Sequence, residues 1–132
     1  MERLILDTGV LIGIERSALG ADIVAAEDDV AISAVTASEL LVGAELGGVA
    51  SGPRRAFVEG VLARTDTIAF DLHIAREHAL LAAHTRRVGR PRGAHDLLIA
   101  ATARATGRTI LTTDARAFDE LPGVSHRVVP PS

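Results

Sequence analysis

Asp7, Glu39, Asp96 and Asp114 are the residues whose types and placement suggest chemistry, since each lies where an apolar β-type run ends or a helical stretch begins. Asp7 follows Leu4-Ile5-Leu6 and Asp114 follows Ile110-Leu111-Thr112-Thr113, so the two hold equivalent places after two strands. Each acid also has an ordinary structural use. Asp7 or Thr8 can cap the next helix, and so can Asp114. Glu39 completes a capping box, Thr36-Ala37-Ser38-Glu39. Asp96, at a helix start, gains about 0.3 to 1 kcal/mol from the macrodipole. Against capping alone, helical spacing puts Glu39 beside Val35, Val42 and Leu46, and Asp96 beside Ile99, Ala100 and Ala103. An unpaired carboxylate on such an apolar stripe is costly to bury. Carboxylates drawn together repel one another and call for a cation, and all-oxygen ligation favours Mg2+, with Mn2+ as a substitute, over zinc. Such a site suits attack of a metal-activated water on a phosphodiester, by one ion or two.

The elements that must position these acids alternate. Strands are expected over residues 3–6, 30–33, 67–70, 109–113 and 126–129. Helices are expected over 10–16, 22–27, 36–46, 54–64, 72–88, 96–106 and 115–120. This order predicts an α/β fold, a parallel sheet covered on both faces by helices. Only Gly107-Arg108 join the Asp96 helix to the fourth strand, so the helix starts at that strand's C-terminal edge, where Asp7 and Asp114 also lie. Glu39, early in the helix after the second strand, shares the edge. Ligand sites of open α/β sheets sit on this edge, most often where strand order reverses. Residues 47–53 and 89–93 read as connections too short to divide domains, 130–132 as a low-order end, and the whole of 1–132 as one domain.

Composition narrows the function classes. With no cysteine, disulfides, thiolate metal sites and cysteine nucleophiles are excluded, and a reducing, cytoplasmic setting is expected. No stretch approaches the roughly 18 apolar residues of a membrane span, so no membrane partner is expected. A net charge of −3 gives no global basic field, and three phenylalanines are the only aromatics, which argues against binding single strands by stacking.

In the order Leu4-Ile5-Leu6-Asp7-Thr8, residues 32–40 ending in Ser38-Glu39-Leu40, His95-Asp96-Leu97-Leu98-Ile99-Ala100-Ala101, and Leu111-Thr112-Thr113-Asp114 with Phe118, the chain resembles the PIN-domain ribonucleases, and among them the VapC-type toxins of bacterial toxin–antitoxin pairs. The resemblance runs over residues 3 to 129. It implies a three-layer α/β/α sandwich with five parallel strands in the order 3-2-1-4-5, and divalent-metal-dependent cleavage of RNA. It also implies inhibition by a small antitoxin and a homodimer. The family's acidic positions fall on Asp7, Glu39, Asp96 and Asp114, with Thr8, Thr112 and Thr113 as polar support. Asp119 reads as an ordinary surface charge.

Arg86, Arg87, Arg90 and Arg92 precede Asp96, either as a rim contacting RNA phosphates or as a solvated helix end. The histidines form no metal site, since His73 and His84 share a helical face about 16 Å apart, and His95 reads as a helix-entrance residue. Asp7-Thr8-Gly9 lacks the second aspartate of aspartyl-phosphate phosphatases, and no Gly-rich phosphate loop is present. Two alternatives remain: a nuclease of RNA maturation, and a non-catalytic interaction module if the four acids do not converge.

Overall fold

The structure is a computed structural model in which residues 1–48 and 52–130 are described. Its elements are β1 (Arg3–Leu6), α1 (Thr8–Glu15), a 3-10 turn (Ala21–Ile23), β2 (Asp29–Ser33), α2 (Ala34–Leu46), α3 (Gly52–Arg64), β3 (Asp66–Ile68), α4 (Leu72–Arg87), α5 (Ala94–Thr106), β4 (Thr109–Thr112) and β5 (Ser125–Val128). The strands form one parallel sheet in the order β3-β2-β1-β4-β5, as the resemblance implies. The order reverses at β1, which pairs with β2 through Leu4↔Val30 and with β4 through Ile5↔Ile110.

Period-two alternation divides the sheet between two cores. Leu4, Leu6, Ile32 and Leu111 pack with Val10, Leu11, Leu40 and Val58 under α1, α2 and α3. Ile5 and Ile110 pack on the other face with Ile74, Leu81, Ile99 and Phe118 under α4 and α5. Both faces of the central strands are buried, hence their almost wholly apolar text. The tight return from α5 to β4 depends on Gly107, whose φ of 64° closes the helix in the left-handed region where a side chain is disfavoured.

Two expected helices are corrected. Residues 22–27 do not form one; the segment holds only the 3-10 turn, because the Asp28 carboxylate accepts the N–H groups of Ala25 and Glu2, both at 2.8 Å, and closes a turn instead. Residues 115–120 are bends and turns. The Arg116 N–H donates to Asp114 Oδ1 at 2.9 Å, Glu120 takes a φ of 58°, and Phe118 is drawn fully into the core. A six-residue stretch gains more from that one buried ring than from a short exposed helix. β3 ends at Ile68 rather than at residue 70, leaving Phe70 exposed, and α1, α2 and α5 begin two residues earlier than expected. Of the expected connection at 47–53 and the end at 130–132, residues 49–51 and 131–132 lie outside the described residues.

Pattern reading also passed over Arg108. This nearly buried side chain sits at the N-terminal edge of the sheet, where Nη1 donates to Leu4 O at 3.1 Å, Asp29 O at 2.9 Å and Asp29 Oδ1 at 3.0 Å. One guanidinium thereby ties the starts of β1, β2 and β4.

Candidate active site

The opposite, C-terminal edge gathers the acids. Asp7 leaves β1 as the N-cap of α1, so its capping role and its place in the cluster coexist. Its Oδ1 accepts the Thr8 N–H and its Oδ2 accepts the Thr112 hydroxyl, both at 2.8 Å. Thr112 is fully buried at the end of β4, and its oxygen accepts the Asp114 N–H at 3.0 Å. One hydroxyl thus links the acids that follow β1 and β4, on either side of the reversal in strand order. Asp114 caps no helix, because none follows it among the described residues.

Glu39 does not close the expected capping box. The N-cap of α2 is Ser33, whose Oγ accepts the Thr36 N–H at 3.1 Å, so Glu39 stands in the second turn. There its Oε1 accepts the Thr8 hydroxyl at 2.8 Å and its Oε2 meets His95 Nδ1 at 3.1 Å. The Thr36 hydroxyl lies 3.2 Å from those of both Thr8 and Ser33. Ser33, Thr36 and His95 were not singled out as site residues from sequence. The adjacency of His95 to Asp96 was a signal for one of them, whereas Thr36 was read as the start of a capping box and Ser33 as the last residue of a strand. Thr113 is exposed and packs instead at Gly9, where an added Cβ would stand 3.0 Å from its hydroxyl.

Asp96 lies in the first turn of α5, whose N-cap, Gly93, makes no side-chain cap. Among the described residues its carboxylate accepts no hydrogen bond, and no basic side chain lies within 4 Å of Asp7, Asp96 or Asp114. Burial pushes the Asp96 carboxyl above the usual carboxylate range, helped by the negative charges of Asp7, Asp114 and Glu39. Burial raises Asp7 too; the Thr112 and Thr8 hydrogen bonds oppose this, while Glu39 and Asp114 add to it. The acids are therefore close enough to oppose one another's ionisation. They do not form a closed cage: among the described residues, no three His, Asp or Glu side chains group tightly enough to hold a metal ion as they stand. The donor set itself, four carboxylates with no paired guanidinium, has the hard-oxygen, net-negative chemistry that suits a divalent cation. Asp96, which accepts no hydrogen bond among the described residues, keeps its carboxylate oxygens available to one.

These shifts set a pH dependence. A folded state that raises a carboxyl pKa favours the protonated form, so this stability is present below the unfolded value of about 4 and is lost as pH rises through the raised values. Without metal, Asp96→Asn is expected to match wild-type stability in acid and exceed it at neutral pH, with the gap closing as Mg2+ is added. Urea midpoints across pH, in EDTA and in Mg2+, measure this. A gap that does not change with pH would remove the proposed repulsion.

The arginines before Asp96 separate. Arg86 and Arg87 end α4, exposed and without a carboxylate partner among the described residues. Arg90 pairs with Glu120. Arg92 donates from Nη1 to Arg90 O at 2.9 Å and from Nη2 to the carbonyl of Asp119, fastening the α4–α5 connection to the segment before β5. Among the described residues none of these four makes a hydrogen bond or an ion pair with the four acids.

Comparison with known proteins agrees with this architecture. The PIN domain family matches residues 4–124. The chain is 37% identical over 95 residues to a tRNA(fMet)-specific endonuclease VapC of Shigella flexneri, a match covering 70% of each chain. It is 29% identical over 131 residues to a Ribonuclease VapC of Rickettsia bellii, covering 96% of each. Among solved structures, VapBC-5 of Mycobacterium tuberculosis, described as a member of the VapBC family of toxin–antitoxin systems, superposes with a TM-score of 0.81 at 29% identity, over 98% of this chain and all of that one.

Proposed function

The chain belongs to the PIN-domain family, and from that premise we propose that it is a VapC-type endoribonuclease, the toxin of a VapBC-type pair, dependent on Mg2+ and acting on RNA in the cytoplasm. The observation that carries this reading is the gathering of Asp7, Glu39, Asp96 and Asp114 on one sheet edge, at the reversal of strand order, with mutual repulsion between them. A bound divalent cation supplies Lewis-acid activation of water and offsets the charge that builds on the phosphate.

The protein's own groups perform the positioning. Thr112 and the Thr8 N–H hold Asp7 in a fixed orientation, and Thr8 and His95 hold Glu39. Thr112 fixes the Asp114 backbone to the end of β4. Asp96 remains the carboxylate with the least restraint, suited to closing the site. Arg86 and Arg87 present uncompensated charge to the RNA backbone, while Arg90, paired with Glu120, contributes less.

An antitoxin has two surfaces to use. Leu41, Val42 and Leu46 of α2 are exposed beside a groove of about 410 Å³ that also meets Ala37 and Thr67, a place for an apolar helix or strand of a partner. An antitoxin arginine placed among the four acids would pair with charges already partly desolvated and compete with the metal. Exposed Leu72 and Leu80 on α4 favour a homodimer. Among the described residues no helix is long and apolar enough to cross a membrane.

Purified protein is expected to cleave RNA in Mg2+ and not in EDTA. Expression alone is expected to arrest growth, and co-expression of a small protein encoded beside it to relieve the arrest. Harmless expression of an RNA-cleaving protein, with no small protein co-purifying, would replace the toxin reading by that of an RNA-maturation nuclease.

A further inference from the structure

Beside the carboxylates lies a separate cavity of about 390 Å³, between the end of α4, the α4–α5 connection and the start of α5. Ala82, Pro91, Ala94 and Leu97 give it apolar walls, and Arg86 and Arg92 supply its cations. Arg92 is held in place by two backbone carbonyls, and no carboxylate within 4 Å neutralises it among the described residues. Its Nε is buried without an acceptor among the described residues and closed to solvent, so what the cavity offers a ligand is the charge of the guanidinium rather than that N–H. The cavity also adjoins the acids. Gly93 joins its lining residues Arg92 and Ala94, and a Cβ at Gly93 would stand 3.1 Å from Asp96 Oδ2.

We propose that this cavity is a nucleotide subsite: it receives one base of single-stranded RNA against Ala82, Pro91 and Leu97, with an adjoining phosphate toward Arg86 and Arg92. The proposal rests on the RNA-cleaving reading of the neighbouring acids and adds to it a place where sequence preference arises. The volume lies within the range of small-ligand sites. Among the described residues that line the cavity, His78 is the one aromatic ring and no phenylalanine is present, so the base is held by aliphatic packing, by the guanidinium planes and by that imidazole. Charge complementarity selects this occupant, because an apolar protein segment would cover two cations and supply nothing to neutralise them.

Ala82→Leu and Ala94→Leu fill the cavity. Ala94 sits exposed in the first turn of α5, where leucine is tolerated, so that variant folds even if packing at Ala82 does not. Wild type and variants are titrated in EDTA with the four nucleoside 5′-monophosphates by NMR, and their steady-state cleavage of short single-stranded RNAs is measured in Mg2+. At least one nucleotide is expected to shift the resonances of Ala82, Ala94 and Leu97 in the wild type and not in the variants. KM for RNA is expected to rise about tenfold, with kcat and Mn2+ affinity unchanged. The proposal is overturned if no mononucleotide perturbs these residues, or if KM is unchanged in the folded variants. It is overturned equally if the variants lose only inhibition by the antitoxin, which would make the cavity a protein-docking site. A wild type that binds mononucleotides in the cavity yet cleaves no RNA would support the subsite and remove the nuclease reading.

Discussion

Asp96→Asn is expected to reduce metal-dependent RNA cleavage by about three orders of magnitude, the rate equivalent of losing roughly 4 kcal/mol of transition-state stabilisation. The substitution keeps the side chain's size and removes the charge that draws a cation into the cluster. Because the Asp96 carboxylate accepts no hydrogen bond among the described residues and its burial already disfavours ionisation, the fold loses at most the small helix-dipole contribution, which relief of burial and repulsion offsets. Asp7→Asn is expected to cost as much activity and also some stability. The Asp7 carboxylate accepts both the Thr8 N–H and the Thr112 hydroxyl, and an amide has one acceptor oxygen for the two donors. Single-turnover cleavage with Mn2+ binding measured in parallel checks both. An Asp96→Asn protein that cleaves within tenfold of wild type would sink the four-acid site, whatever its stability.

The second large effect is expected at the other edge of the sheet. Arg108→Met keeps the apolar length of the side chain but removes the donor shared by Leu4 O, Asp29 O and Asp29 Oδ1. Truncating one partner of a buried ion pair costs about 3 to 5 kcal/mol. Two features place this case at or below the lower end. The Asp29 carboxylate is 38% exposed and retains water, and Arg108 Nε is itself buried without an acceptor, a penalty that methionine removes. A loss of about 2 to 3 kcal/mol is therefore expected. It should appear as a lower urea midpoint with an unchanged slope. Cleavage by the folded variant should be near normal, since Arg108 lies at the edge opposite the acids. A midpoint equal to wild type would mean that the three hydrogen bonds contribute no net stability.

Several features of this protein were set by short-range text. Leu4-Ile5-Leu6 is apolar at consecutive positions because β1 is buried on both faces, and it reads locally as a short β-type run, while the parallel sheet followed from the alternation of such runs with helical stretches. The link Gly107-Arg108 is too short to let α5 start anywhere but at the C-terminal edge of β4, so the edge carrying Asp96, Asp7 and Asp114 followed from chain length alone. Strand order is different in kind. The alternation of elements is compatible with several orders, and here 3-2-1-4-5 came from resemblance and was matched by the structure.

What only the tertiary structure decided are the pairings between distant positions. Thr36-Ala37-Ser38-Glu39 reads locally as a capping box, yet Glu39 is taken by Thr8, 31 residues away, and by His95, because α2 starts two residues before Thr36 on a cap supplied by Ser33. Residues 115–120 carry ordinary helical text, but Phe118 is needed beneath α5 and pulls the segment out of a helix. Arg90 and Arg92 look alike in sequence, and the fold gives one a carboxylate and the other only backbone carbonyls, leaving its charge unneutralised. Arg108 reaches Leu4 across 104 residues. A propensity is summed over a few neighbours, whereas each of these contacts depends on which strand lies beside which, a choice made by burying both faces of the sheet at once.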